Sequence, residues 1–140
     1  MGERVVVIGG GLTGCEIAYD LYLKGKKPTV VEMQDDLITT PGICLANTSY
    51  LRDVFAATQD PVHLETSVSE ITETGVVLTH KDGSTEMIEA DSVVLSVGYI
   101  STPVAKKGGH VHVIGDAASV GNLRTVIWGA WDVCMKLCYT

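Results

Sequence analysis

The sequence predicts an α/β fold: a parallel sheet with helices on both faces and an inserted antiparallel β-meander. Three observations carry this prediction. Short, continuous apolar runs recur at Arg4–Ile8, Pro28–Glu32 and Val93–Val97, the pattern of parallel strands buried on both faces. Stretches with helical spacing separate the first of these runs. Between about residues 67 and 89 the period shortens, and Asp82-Gly83 marks a tight hairpin turn between two short strands.

The elements follow in order. After strand Arg4–Ile8, a helix is expected from about Leu12 to Lys24, because Leu12, Cys15, Ala18, Tyr19 and Tyr22 recur at helical spacing and Gly25 suits a C-cap. Pro28–Glu32 is the second strand. Asp35 to Pro41 reads as loop, a second helix spans roughly 42–57, and Val62–Glu65 is the next strand, closing a second βαβ unit. Ser67–Thr72, Gly75–His80 and Ser84–Glu89 form the meander. Val93–Val97 ends at Gly98 and is expected to rejoin the parallel sheet beside the first strand. Ser101–Gly109, with Pro103, Gly108 and Gly109, reads as an exposed linker. Val111–Ile114 reads as a further apolar strand, and a helix from about Asn122 to Cys138 carries Trp128 and Trp131, expected to be packing residues.

Composition excludes several classes of function. The chain has 140 residues, of which 46% are hydrophobic, and a formal net charge of −7. Such a charge offers no attraction to nucleic acid or to anionic lipid. No basic run exceeds two residues, and nothing approaches the apolar length of a membrane span. A cytoplasmic location is the expectation. The four cysteines, Cys15, Cys44, Cys134 and Cys138, form no C-x-x-C pair and no metal-binding spacing. Cys134 and Cys138 are expected to be buried or half-buried. Cys15 lies at a helix start, where a thiolate is favoured, although helix–sheet packing is the preferred reading. His63, His80, His110 and His112 suggest no metal site, and no residue has the pattern of a catalytic acid, base or nucleophile.

The chemistry is concentrated at the first turn. The strand runs into Gly9-Gly10-Gly11-Leu12-Thr13-Gly14, a G-x-G-x-x-G turn that opens a helix, and Glu32 closes the second strand 18 residues after Gly14. That is the dinucleotide-binding fingerprint of a Rossmann-like domain in its full context. Gly9 allows the tight turn, Gly11 lets a pyrophosphate approach the backbone, and Gly14 permits close packing of helix and strand. Leu12 and Thr13 stand at the helix N-terminus, whose free N–H groups and partial positive charge suit phosphate. Glu32 can accept from ribose hydroxyls. Met33, Gln34, Asp35 and Asp36 follow it with no Arg or Lys, which favours NAD(H) over NADP(H). FAD uses the same ribose contact and stays an alternative, as does a nucleotide-binding module without turnover. Glu16 is read either as a first-turn acid complementing the helix dipole or as a group near the nicotinamide.

Five segments together make the chain resemble a known family: Val5–Glu16, Thr29–Glu32, the meander, Ala90–Tyr99 and Val111–Ala118. Their order and spacing resemble the pyridine-nucleotide-binding part of flavoproteins with two dinucleotide-binding domains. Among these, the chain is similar to NADH:flavin oxidoreductases of the 2-enoate reductase and 2,4-dienoyl-CoA reductase type. The resemblance implies that residues 1–100 form an NAD(H)-binding domain, 101–110 a linker, and 111–140 a remnant of the FAD domain's C-terminal strand and helix. It places Met33 beside the ribose site, the Val68 backbone near the adenine, and Val97 and Gly98 near the nicotinamide end. It implies that Gly115 and Asp116 descend from a pair that holds flavin. It further implies partners: an FAD domain and a barrel module with FMN and an iron–sulfur cluster. The sequence holds one glycine-rich turn, so the FAD domain's own pyrophosphate loop and the barrel are not expected in it, FAD is not expected to be held by this chain alone, and the chain reads as a C-terminal fragment.

Overall fold

The first strand sets the layering, because its side chains alternate between two cores. Within β1 (Arg4–Ile8), Val5 and Val7 enter one hydrophobic cluster and Val6 enters another, and all three are fully buried. The computed structural model describes residues 2–58 and 61–138. Its contacts divide the chain into two units, Met1–Gly98 and Tyr99–Thr140.

In the first unit the chain continues through α1 (Leu12–Leu23), β2 (Lys27–Val31), α2 (Leu45–Thr58), β3 (Val62–His63), β4 (Thr66–Ile71), β5 (Gly75–His80), β6 (Thr85–Glu89) and β7 (Ser92–Leu95). Four strands form a parallel sheet in the order β3-β2-β1-β7, with Val7 opposite Val30 on one side and Val94 on the other. The expected fold class is the observed one, a Rossmann-like parallel sheet flanked by helices with an inserted antiparallel meander; within this unit α1 and α2 share one face of the sheet and the meander covers the other. Cys15, Ala18 and Leu21 of α1 and Leu51 and Phe55 of α2 pack with Val5, Val7 and Val30. On the other face, Val76 and Leu78 of β5 pack with Val6 and Val31. Full burial of each such Val or Leu contributes about 1.5–3 kcal/mol.

Departures from the expected boundaries have local causes. The strand expected at 62–65 stops at His63, because Glu65 turns through φ +49° into the meander. The second helix begins at Leu45 rather than near residue 42, since Gly42 stands at φ +81° and the Cys44 carbonyl accepts the first helical N–H bonds. The Asp82-Gly83 hairpin forms with Gly83 at φ +83°, and Asp82 Oδ1 accepts from the Ser84 N–H (2.8 Å) and hydroxyl (2.6 Å).

The second unit, described through Cys138, holds a short 3₁₀ turn at Gly115–Ala117 and α3 (Leu123–Cys138). Asn122 caps α3: its Oδ1 accepts the Thr125 N–H (3.1 Å), and Thr125 Oγ1 accepts the Asn122 N–H (2.9 Å). Three expectations are corrected here. Val111–Ile114 is not a strand. Only an isolated bridge joins Val111 to Gly108, because no neighbouring strand of this unit receives its backbone groups. The tryptophans do not pack into a core either: Trp128 and Trp131 are 60% and 56% exposed, and Cys134 and Cys138 are also exposed. One helix over an irregular segment offers too little surface to cover a broad apolar face. Among the described residues, no helix is long and apolar enough to cross a membrane, and no group of three or more His, Cys, Asp or Glu could hold a metal.

The start of β1 is tied to the start of β7 by polar bonds. Asp91 Oδ2 accepts the N–H of Arg4 (2.8 Å) and of Glu3 (3.1 Å), while Arg4 Nη2 pairs with Asp91 Oδ1 at 2.7 Å. The Arg4 guanidinium, helped by these N–H groups, holds the Asp91 carboxyl down to about 2. A depressed carboxyl pKa gives stability that is full above its ordinary value and lost as pH falls toward the folded one. Asp91→Ala is therefore expected to lower the urea midpoint at about pH 6, with the gap from wild type closing as pH falls from about 4 to about 2. A gap that stays constant over that range would exclude the carboxylate as its cause.

Candidate functional site

Parallel strands bring their C-terminal ends to one edge of the sheet. From β1 the chain passes to β2 on one side and eventually returns as β7 on the other, so the strand order reverses at β1. A crevice at the carboxyl ends of such a switch point is where ligands bind in open α/β sheets. The glycine turn sits there and is gripped from both neighbours: the Gly9 N–H donates to Val31 O (2.8 Å), and the Ser96 N–H donates to Ile8 O (2.8 Å).

Four glycines of the turn divide by what a side chain would meet. A Cβ on Gly9, which stands at φ +106°, would lie 2.2 Å from Ser96 O. One on Gly10 would lie 2.6 Å from Leu37 Cδ2 and 2.9 Å from Glu32 Cβ. One on Gly14 would lie 1.9 Å from Gly9 O, so the close approach at Gly14 is of helix onto turn. A Cβ on Gly11 would meet no atom beyond its chain neighbours within 4 Å. Protein packing thus requires three of these glycines to be bare, whereas Gly11 faces open space. Gly11 is also the N-cap of α1 and supplies no capping side chain, so the first-turn N–H groups of Leu12 and Thr13 have no side-chain cap.

Glu32 is held on every side. Its Oε2 accepts the Gly10 N–H (2.6 Å) and its Oε1 the Gln34 N–H (2.8 Å). Its own N–H donates to His63 O (2.8 Å), and its carbonyl accepts from Thr66 (3.0 Å). Each carboxylate oxygen keeps further acceptor capacity for a hydroxyl donor. Met33, beside it, is 70% exposed. Past β7, Val97 is exposed and Gly98 stands at φ +91°. The sheet thus brings Gly9–Gly14, Glu32, Met33, Val97 and Gly98 to one edge. Val68 lies on β4, two residues beyond the Thr66 bond to Glu32. Gly115 and Asp116 belong to the second unit, where Gly115 stands at φ +61° and Asp116 Oδ1 accepts the Gly121 N–H (3.1 Å).

The structure bears on two residues that the sequence left with alternative readings. Cys15 is fully buried and its thiol donates to Gly10 O at 3.3 Å. Burial pushes that thiol up to about 12, so it is a packing residue and not a thiolate. Glu16 lies in the second turn of α1 and is exposed, which removes the first-turn dipole role.

The sequence reading missed four residues that shape the site. Ser96 fits against Gly9 and Gly14, Leu37 covers Gly10, the Ile38 N–H donates to Gly10 O (2.8 Å), and Arg52 bonds the carbonyl of Leu37. The one available signal was the apolar pair Leu37-Ile38 inside an otherwise polar loop.

The packing predicts opposite outcomes for two alanines. Gly14→Ala should destabilise the protein by about 3 kcal/mol or more through overpacking against main chain. Gly11→Ala should leave the melting midpoint within about 2 °C of wild type, because its backbone and surroundings accept a methyl. Thermal melts of both variants check this, and equal losses would overturn the division.

A family model described as pyridine nucleotide-disulphide oxidoreductase matches residues 1–127. The cinnamate reductase of Clostridium sporogenes is 37% identical, over 98% of this chain and 21% of its own length. The NADH oxidase of Thermoanaerobacter brockii is 35% identical, over 96% of this chain and 21% of its own. The chain thus spans about a fifth of the length of these curated relatives. A solved complex of 2-naphthoyl-CoA reductase with 2-naphthoyl-CoA superposes with a TM-score of 0.79 at 27% identity, covering 94% of this chain and 20% of that one.

Proposed function

We propose that this chain, which belongs to the pyridine nucleotide-disulphide oxidoreductase family, is the NADH-binding domain of a flavin-dependent oxidoreductase of the enoate or dienoyl reductase kind. The observation that carries the reading is Glu32. Its carboxylate is fixed by the N–H groups of Gly10 and Gln34, one residue from a bare, uncapped helix start at Gly11. A fixed anion at that place accepts from the two ribose hydroxyls of an adenosine and repels a 2′-phosphate. The open space at Gly11 and the uncapped N–H groups of Leu12 and Thr13 fit a pyrophosphate.

The residues present therefore fit a dinucleotide. Glu32 with Met33 would hold the adenosine ribose, Gly11–Thr13 the phosphates, Val68 the adenine side and Val97–Gly98 the nicotinamide side. The bound nicotinamide supplies a hydride, for which a flavin elsewhere in a longer enzyme is the acceptor. This chain's own contribution is binding and orientation. Gly9 and Gly14 let α1 sit directly on the turn, so the N–H groups that meet phosphate are held rigidly before ligand arrives, which lowers the ordering cost of binding. In this reading residues 1–100 bind NADH, and Gly115 and Asp116 in the segment 111–140 face flavin only within the longer enzyme.

Calorimetric titration should give a dissociation constant for NADH of about 1 μM to 1 mM, with NADPH weaker. Glu32→Ala should weaken NADH by about tenfold to a hundredfold, the value of charge-assisted hydrogen bonds to two hydroxyls. Gly11→Ala should abolish binding while the protein stays folded. A preference for NADPH would overturn the assignment of Glu32.

The purified chain is expected to be colourless. A visible flavin absorbance band that survives dialysis would transfer the site to FAD.

A further inference from the structure

We infer that Arg52 is a positioning residue for the nucleotide: from α2 it holds the Asp36–Ile38 segment down on Gly10, and so keeps the phosphate turn and Glu32 in one geometry. The inference rests on the proposed nucleotide site and adds to it a residue that does not touch the ligand. It starts from an unusual backbone. Ile38 stands at φ +54°, a left-handed conformation that a β-branched residue rarely adopts, and such conformations persist only where surrounding contacts over-determine them. With the chain turned this way, the Leu37 and Ile38 carbonyls join no strand or helix. Arg52 takes both. Its Nε donates to Leu37 O (3.0 Å), and its Nη2 donates to Leu37 O (2.5 Å) and reaches Ile38 O (3.4 Å). Nη2 also pairs with Asp36 Oδ2 at 3.1 Å, while Asp36 Oδ1 accepts the Leu37 N–H at 2.7 Å.

The far side of the same segment presses on the site. Leu37 and Ile38 are each 4% exposed. Leu37 Cδ2 occupies the space a Gly10 side chain would need, and the Ile38 N–H donates to Gly10 O at 2.8 Å. The Gly10 N–H in turn donates to Glu32 Oε2 at 2.6 Å. A line of direct contacts therefore runs from Arg52 through Leu37 and Ile38 to the Gly10 peptide and on to Glu32. An exposed arginine making only an ion pair would contribute little. This one bonds two main-chain carbonyls and a carboxylate through a planar fork that a lysine ammonium cannot reproduce.

The test compares Arg52→Met, which keeps the apolar stem, with Arg52→Lys, alone and combined with Glu32→Ala, all in the full chain. Amide hydrogen exchange is read by NMR and NADH affinity by calorimetry. In Arg52→Met, exchange at Ile38 and Gly10 should rise about tenfold or more, while Val76 and Leu78 in β5 stay as in wild type, showing that the fold is intact. The NADH dissociation constant should rise about five- to twentyfold, with Arg52→Lys in between. Because part of the effect of Arg52 runs through Glu32, Arg52→Met should cost clearly less affinity once Glu32 is alanine than it does in wild type, which is a non-additive cycle. Unchanged exchange at Ile38 and Gly10, raised exchange with unchanged NADH affinity, or additive losses in the double variant would each overturn the inference. Wild-type protein that binds no NADH would overturn the nucleotide reading on which it rests, and the exchange data would then show separately whether Arg52 holds the turn.

Discussion

The contact on which the rest of the first unit depends is the approach of Gly14 to the carbonyl of Gly9. A methyl group at Gly14 would stand 1.9 Å from that oxygen, so α1 rests directly on the turn that leaves β1. With the helix this close, Cys15, Ala18 and Leu21 reach Val5, Val7 and Val30 and close the core on that face. The same closeness aims the first turn of α1 along the open edge of the sheet. Fold and site therefore share one steric constraint. Few side chains are needed to build the site, because the backbone itself presents the donors.

Around that turn, the polar groups form a closed set of partners. The Gly10 peptide gives its N–H to Glu32 and receives the Ile38 N–H and the Cys15 thiol on its carbonyl. Glu32 is held in turn by the end of β3 and the start of β4, through His63 and Thr66. Groups from α1, the end of β2 and the loop after it thus converge on one residue, Gly10. A charge fixed by two N–H groups keeps its place without a cation beside it. That suits a group meant to accept further hydrogen bonds.

The second unit shows the opposite situation. Helix α3 has a broad apolar face and no fully buried residue, and the apolar run before it finds no strand to pair with. Sequence quality does not explain this, since α3 has a well-formed Asn122 cap and a sustained helical period. The missing ingredient is a second layer. A helix or strand gains stability mainly by burying one face, and a single element cannot provide both sides of a core.

What the sequence determined by itself was local. Period and composition identified the three apolar parallel strands, the meander and its Asp82-Gly83 hairpin, α1 and α3, and the glycine turn with its acid at Glu32. These depend on neighbours within a few residues, so they are legible in one chain. Only the tertiary structure decided the rest. It separated Gly11, bare toward open space, from Gly9, Gly10 and Gly14, bare because main chain or side chains press on them. It made Cys15 an inert packing residue, moved Glu16 out of the first turn, left Val111–Ile114 unpaired, and exposed Trp128 and Trp131. It also joined Arg52 to Leu37 and Ile38, and Arg4 to Asp91, which stands 87 positions away. Strand pairing and burial are set by which surfaces meet in space. That meeting depends on the whole chain, so a reading of successive residues cannot contain it.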